Sequence, residues 1–165
     1  MAEDTFQIRG TEGLDFVDRV KVEGLIYAAM RDMLRYGESR AKANVPRRTG
    51  NLLRNIGIDG PRPTAGLGTL TGTIGVRKTA PYAKWVEHGT GIFGAFKQPI
   101  YPKTGNFLVW KDGMTGQTHF ARVVKGQKGQ HYMRTAYREL KRTYVPARVQ
   151  LLKKEIAAVV TNRTN

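Results

Sequence analysis

Residues 15–43, DFVDRVKVEGLIYAAMRDMLRYGESRAKA, decide the fold class because they contain a long run of apolar residues at helical spacing. Residues three and four positions apart share one face of an α-helix, so the stretch predicts a long amphipathic helix. The face comprises Val22, Leu25, Ile26, Ala29, Met33 and Tyr36. The helix is expected to end at Val45-Pro46, because the residue before a proline avoids the α conformation.

The chain leads from this helix into a short helix and then into a glycine-rich stretch. Thr49 is expected to cap a helix that runs to Ile56, since a threonine hydroxyl can accept a hydrogen bond from a free helical amide. Residues 57–72, GIDGPRPTAGLGTLTG, hold five glycines and two prolines, and this composition predicts a long loop. Alternation of apolar and polar residues over 70–78 predicts a strand.

Another short helix is expected to begin at Pro81, because proline is tolerated at the first helical position. Its apolar residues, expected to be core anchors, are Tyr82, Trp85 and Val86. The following residues 89–94, GTGIFG, match the GxGxxG pattern of dinucleotide-binding loops. That pattern requires a strand before it and a helix after it. Here a helix precedes it and Pro99 and Pro102 follow it, so a turn that ends the helix is the better interpretation.

The last third of the chain predicts a hairpin and a helix. Residues 107–111 and 118–125 have strand character and flank the turn 112–116. A final helix is expected to start near Met133 and to be kinked or broken at Pro146, which cannot donate a helical hydrogen bond.

This order of elements predicts an α+β fold. The expected architecture is a small antiparallel sheet packed by the long N-terminal helix and a C-terminal helix, with a short inserted helix and long loops. Residues 1–14 lack periodicity and predict a flexible arm. Residues 15–165 are expected to form a single domain, in agreement with the 165-residue length.

Charge is the unusual property of the composition. The chain holds 28 Lys and Arg against 13 Asp and Glu, a net charge of +15. Residues 1–36 carry a net charge of −2 and the remaining residues carry +17. The positive electrostatic field of such a charge favours nucleic acid, an acidic protein surface or anionic lipid as partner. No apolar run approaches the roughly 20 residues that span a bilayer, so a soluble protein made inside a cell is expected.

The reactive residues do not form a catalytic pattern. Cysteine is absent, which excludes thiolate nucleophiles and cysteine-ligated zinc. The three histidines, His88, His119 and His131, lack the spacing of zinc ligands. A metal-dependent nuclease would need clustered carboxylates, whereas only five acids follow residue 40. The sequence therefore predicts no catalytic residue, no metal and no cofactor, and a nuclease stays a distant alternative.

The predicted last helix carries basic residues beside its apolar ones. These are Arg134, Arg138, Lys141 and Arg142, at spacings i, i+4, i+7 and i+8, and the adjoining acid is Glu139. Arg47 and Arg48 form a second basic group. Rows of cations suit phosphate contacts, and a solvated helix face is the alternative. No base-reading motif is present, so any DNA contact would lack sequence preference.

Three stretches together resemble one family. Residues 41–57, AKANVPRRTGNLLRNIG, resemble a helix end, a proline and "TGxLxxSI". Residues 80–91, APYAKWVEHGTG, resemble "YAxxVExGT", and 129–140, GQHYMRTAYREL, resemble "xPFMRPAxxE". In this order they are similar to neck and tail-completion proteins of long-tailed bacteriophages, the tail-component family that includes minor tail protein Z-like members. The chain departs from that pattern at Arg47-Arg48 and at Thr135.

The resemblance implies a virion structural protein and not an enzyme. Such proteins form a homo-oligomeric ring, expected here to have six subunits, at the head–tail interface, and the genome passes through it. The implied partners are the head connector or stopper and the tail terminator or tail tube proteins. Candidate docking surfaces are the predicted arm, the loop 57–72, and the loop 92–106 with Phe93, Phe96 and Tyr101. Aromatics in a proline-bounded loop suit an interface, and core packing is the open alternative. A non-specific DNA-binding or packaging-associated protein is the second hypothesis.

Overall fold

A computed structural model describes residues 16–47, 50–64 and 69–161. The chain divides into two compact units. Unit 1 combines the residues up to Thr79 with those from Met133 onward, and unit 2 is Ala80–Tyr132. The predicted arm 1–14 lies outside the described residues. In the part of the chain that the structure describes, no helix is long and apolar enough to cross a membrane.

The core of unit 1 is built on the long helix α1, Phe16–Asn44, which confirms the first prediction. Val22, Ala29 and Met33 of the predicted face are buried. Helix α1 packs against α5, Val145–Thr161, at the C-terminal end of the chain. Gly37 lies where α1 meets its neighbours, because a Cβ at this position would collide with the side chain of Ile74. A residue that weakens an isolated helix thus allows close packing here.

The stretch predicted as a loop over 57–72 is a β-hairpin, so that prediction is wrong over its described residues. Strands β1, Ile56–Thr64, and β2, Thr69–Val76, pair antiparallel and pack against α1. The register shifts between Asp59 and Arg62, which accommodates the intervening glycine and proline as a bulge. Glycines and prolines interrupt the alternation of β1 and hide it in the sequence. Strand β2 confirms the prediction for 70–78.

The short helix α2, Asn51–Asn55, starts differently from the prediction. Its N-cap residue is Gly50, with φ of 70°, and no side chain caps it. Glycine adopts this left-handed conformation without a steric penalty, which explains the start of the helix after Gly50. Thr49, the predicted cap, lies outside the described residues.

The C-terminal helical segment of unit 1 is continuous. Helix α4, Tyr132–Glu139, leads into a π-helical turn, Leu140–Tyr144, and then into α5. Pro146 lacks an N–H group and its ring would clash with the carbonyl of the preceding turn of a regular helix. The wider turn immediately before it provides the space, so the helix continues past Pro146, where a kink or a break was expected. Tyr144 in this turn stacks on Tyr36 of α1, with ring centroids 4.2 Å apart.

Unit 2 combines a short helix, a turn and a hairpin. Helix α3 is Ala83–His88, and a 3₁₀ turn follows at Gly91–Phe93. Strands β3, Leu108–Lys111, and β4, Thr118–Ala121, pair antiparallel and confirm the predicted hairpin. Asp112 orders the turn between them, since its carboxylate accepts hydrogen bonds from the backbone N–H groups of Met114 and Thr115 at 2.8 and 3.1 Å.

The prediction of Trp85 as a core anchor is wrong. Its side chain is 49% exposed, whereas Ala80, Ala83 and Glu87 of the same segment are buried. Ala83 and Glu87 are four positions apart and share the inward side of α3, so Trp85 lies on a different side of the helix. Tyr82 and Val86 are half-buried.

The α+β class is confirmed, and the strands among the described residues form two sheets. Each sheet has two antiparallel strands, β1 with β2 in unit 1 and β3 with β4 in unit 2. The predicted sheet is therefore divided between the two units, because β2 finds its partner in the unexpected strand β1.

Candidate interaction surfaces

The predicted basic residues lie on α4 and the π-helical turn, and all four are exposed. They are Arg134, Arg138, Lys141 and Arg142, and are called the basic face below. The adjoining acid Glu139 is bound by Arg40 of α1, whose Nε and Nη2 atoms donate two hydrogen bonds of 2.6 Å to the carboxylate. Arg40 lowers the pKa of Glu139 through these bonds. Arg40 therefore balances the charge of Glu139.

A second ion-pair cluster ties the C-terminal helix to α1 within unit 1. Arg148 is buried and donates to Asp32 at 3.1 Å and to Glu155 at 3.0 Å. Burial alone would lower the pKa of Arg148, but its two carboxylate partners reverse the effect and raise it. Because a buried cation is costly unless paired, this cluster has a structural role.

The second predicted basic group is described only in part. Arg47 is exposed in the segment that follows α1. Arg48 lies outside the described residues. The structure therefore does not place Arg47 and Arg48 as a pair.

The predicted aromatic loop of unit 2 is largely exposed. Phe96 is 88% exposed and Tyr101 is 63% exposed. Phe93 is half-buried, and the Lys128 ammonium lies 5.7 Å from its ring centroid, in cation–π geometry. For Phe96 and Tyr101 the structure thus excludes core packing as the explanation.

Unit 2 also exposes an apolar sheet face that the sequence did not reveal. Val109 of β3 lies directly opposite Phe120 of β4, and their side chains are 59% and 67% exposed. Phe107 precedes β3 on the same side, because side chains alternate along a strand, and it is 48% exposed. These three residues are called the hairpin face below. Alternation marked both strands in the sequence, but only the structure shows that nothing within the described chain covers this face.

In the GxGxxG stretch, two backbone segments of unit 2 cross at close range. The backbone of Gly91 lies against that of Gly126, and the N–H of Ile92 donates to the carbonyl of Lys125 at 2.9 Å. Gly91 and Gly126 have φ of 60° and 92°, and a Cβ on either would collide with the opposite backbone. Two chain segments thus cross at a distance that only glycine permits.

Metal-ligating residues do not gather in the described ranges. There, no group of three or more His, Asp and Glu side chains is placed to hold a metal ion. The histidines are dispersed: His88 ends α3, His119 stacks on Trp110 in the β3–β4 hairpin, and His131 precedes α4.

Comparison with known proteins gives one match. Residues 15–89 match the family model described as "Bacteriophage HK97-gp10, putative tail-component". The resemblance predicted from the sequence is confirmed over this range, which contains the motif at 41–57 and most of the motif at 80–91. The motif at 129–140 lies beyond the match and stays a prediction. No curated protein and no solved structure matches the chain.

Proposed function

We propose that this chain is a structural protein of the bacteriophage head–tail interface, because residues 15–89 match a family of phage tail components. It acts as a neck or tail-completion subunit, joins the head connector or stopper to the tail terminator or tail tube, and catalyses no reaction. Copies of the chain close into a ring of six, and the genome passes through the ring. The protein is made in the cytoplasm of the host bacterium and resides in the virion.

The exposed apolar residues of unit 2 support a function in an assembly. Phe96, Tyr101 and the hairpin face place aromatic and branched side chains in solvent. Contiguous apolar surface on a subunit marks an interaction site, and aromatic residues are enriched at the centres of interfaces. A protein that works only within a virion needs such surfaces.

The charge supports contact with an acidic surface. The basic face lies on a chain of net charge +15, and its one adjoining acid is already paired. Like charges one helical turn apart repel by a few tenths of a kcal/mol, so a surface outside the subunit is expected to offset the repulsion. DNA in transit and an acidic neighbouring ring both meet this requirement.

Deletion of the gene from a phage tests the proposal. We expect filled heads and finished tails that do not join, and addition of the purified protein should restore joining. Electron microscopy of purified necks should then show a six-fold ring containing this chain. Normal particles without the gene product, or a single copy off the symmetry axis, would contradict the proposal.

A non-specific DNA-binding or packaging-associated protein is the second candidate, favoured by the basic face. The test compares Arg138→Gln/Arg142→Gln with Lys153→Gln/Lys154→Gln, a control that removes two exposed charges from α5 of the same unit. If the basic face binds DNA, affinity falls with salt at a slope of about −0.9 per phosphate contact, and the first variant lowers that slope more than the control. If Arg138→Gln/Arg142→Gln fails to join heads to tails but keeps its DNA affinity, the basic face contacts a neighbouring protein instead of DNA.

A further inference from the structure

The hairpin face is the apolar side of a two-stranded sheet, and no element of the described residues packs against it. A two-stranded sheet is marginally stable by itself and normally packs its apolar side on another element. Here Phe107, Val109 and Phe120 remain 48–67% exposed. On the opposite side of the same hairpin Leu108 and Ala121 are half-buried, and Trp110 is 44% exposed and stacks on His119. The bare side is therefore available for an external partner.

The charges beside this face indicate the chemistry of that partner. Lys111 and Arg122 flank it, and the Arg122 guanidinium lies 5.5 Å from the centroid of the Phe107 ring. The nearby acid, Asp112, is used by the turn that joins the strands. Two hairpin faces brought together would place these cations against each other, so pairing of the face with itself is disfavoured. An apolar surface that carries an acid fits better.

The outer side of α1 offers exposed apolar residues and one acid, and the exposed cation Arg31 lies one turn beyond them. Val20 and Tyr27 are 51% and 44% exposed, and Glu23 and Gly24 between them are exposed as well. The spacing i, i+3, i+4 and i+7 places all four on one face of the helix, called the α1 outer face below. A Cβ added at Gly24 would meet nothing within 4 Å, so the surface is open and shallow at its centre.

We propose that the hairpin face of one copy of this chain docks on the α1 outer face of a second copy. The side chains of Phe107, Val109 and Phe120 pack across Gly24 between Val20 and Tyr27. Arg122 or Lys111 then meets Glu23. The lengths agree, because Val20 and Tyr27 are about 10 Å apart along the helix and a four-residue strand is about 13 Å long.

Such a contact joins two different surfaces, so each copy still offers one free surface of each kind. Head-to-tail contacts of this type propagate until they close into a ring or continue as a filament. The inference thus rests on the proposed function and specifies which surfaces would join the subunits of the ring.

Disulfide cross-linking tests the contact without interference from native thiols, because the chain contains no cysteine. The variants are Val109→Cys and Tyr27→Cys, each purified and checked for an unchanged thermal unfolding midpoint. Mixing the two under oxidation should give a cross-linked dimer in about tenfold or greater excess over either variant alone, since docking raises the effective concentration of the thiols. The double variant should give a ladder of multimers that ends at the closed ring.

Controls define the results that would overturn the proposal. Val160→Cys, at an exposed apolar residue of α5, replaces Tyr27→Cys as the matched partner and should not cross-link to Val109→Cys. Equal cross-linking to Val160→Cys, self-pairing of Val109→Cys, or no cross-link in any mixture would each overturn it. Labelling of Val109→Cys by a maleimide dye should fall as the protein concentration rises. Protection that requires added DNA or anionic vesicles would assign the face to another occupant.

The two proposals can fail separately. If the protein still joins heads to tails but does not cross-link, the docking geometry is contradicted and the proposed function is unaffected. A cross-linked ladder from a protein that is absent from virions would support the docking geometry and contradict the proposed function.

Discussion

Units 1 and 2 differ in where they place their apolar side chains. Among the described residues, unit 1 buries eleven hydrophobic residues and exposes five large ones, whereas unit 2 buries three and exposes ten. Unit 1 therefore has the core of an ordinary folded domain. Unit 2 keeps its geometry through backbone crossings and turns, such as Gly91 with Gly126, and presents its apolar side chains to the outside. The contrast suggests that unit 1 supplies most of the buried core and unit 2 most of the exposed apolar surface.

Truncation of a core residue in unit 1 should have the largest effect on stability. Leu34 is 5% exposed and lies so close to Gly72 of β2 that a Cβ there would overlap it. Leu34→Ala leaves a cavity and should lower the free energy of unfolding by about 2–5 kcal/mol. Chemical denaturation measures the change. Leu151→Ala in α5 is the matched control, because that leucine is 50% exposed and should cost far less.

A backbone change in unit 2 should have the next largest effect. Gly91→Ala places a Cβ at positive φ and against the backbone of Lys125 and Gly126, so the expected loss is about 1–3 kcal/mol. Gly113→Ala is the control, since a Cβ at that turn position meets nothing within 4 Å. Equal stability of the two variants would show that the backbone crossing does not hold unit 2 together.

Alkaline pH should weaken unit 2 through Tyr132. Burial, together with the charge of Glu87, raises the pKa of Tyr132 to about 12. An unfolded tyrosine ionises near 10, so between pH 10 and 12 the unfolded chain releases a proton that the folded chain retains. Stability falls as the pH rises through this window. Tyr132→Phe should show a shallower decline of the unfolding free energy with pH than the parent protein, whereas Tyr101→Phe, at an exposed ring, should leave the slope unchanged.

The sequence predicted the elements whose pattern is local. Helix α1, the β3–β4 hairpin and the end of α3 at Gly89 follow from helical spacing, alternation and turn residues. The hairpin of β1 and β2 was missed, because Gly60, Pro61 and Pro63 interrupt its pattern and its stability depends on pairing with a partner strand. Alternation and spacing show which residues share a side of an element, and they do not show whether another element covers that side.

The same limit applied to the candidate surfaces. Phe96, Tyr101 and the basic face were predicted as candidates, and each is exposed. Trp85 was expected inside and lies half in solvent, since the inward side of its helix is formed by Ala83 and Glu87. The hairpin face could not be predicted, because its exposure depends on whether another element covers Val109 and Phe120, and no element of the described residues does.

The smallest expected effect on stability gives the sharpest test of the contrast between the units. Phe120 is 67% exposed on the hairpin face, so Phe120→Ser removes little buried surface and should change the free energy of unfolding by only about 0.5 kcal/mol. If the face is an interface, the same substitution should abolish assembly into larger species, measured by sedimentation velocity, and prevent joining of heads to tails. Val160→Ser in unit 1 removes an apolar side chain that is 43% exposed and should leave both intact. A stability loss comparable to that of Leu34→Ala would show that Phe120 belongs to the core of unit 2. Normal assembly of the variant would show that the hairpin face is not an interface. Either result would remove the distinction between the units.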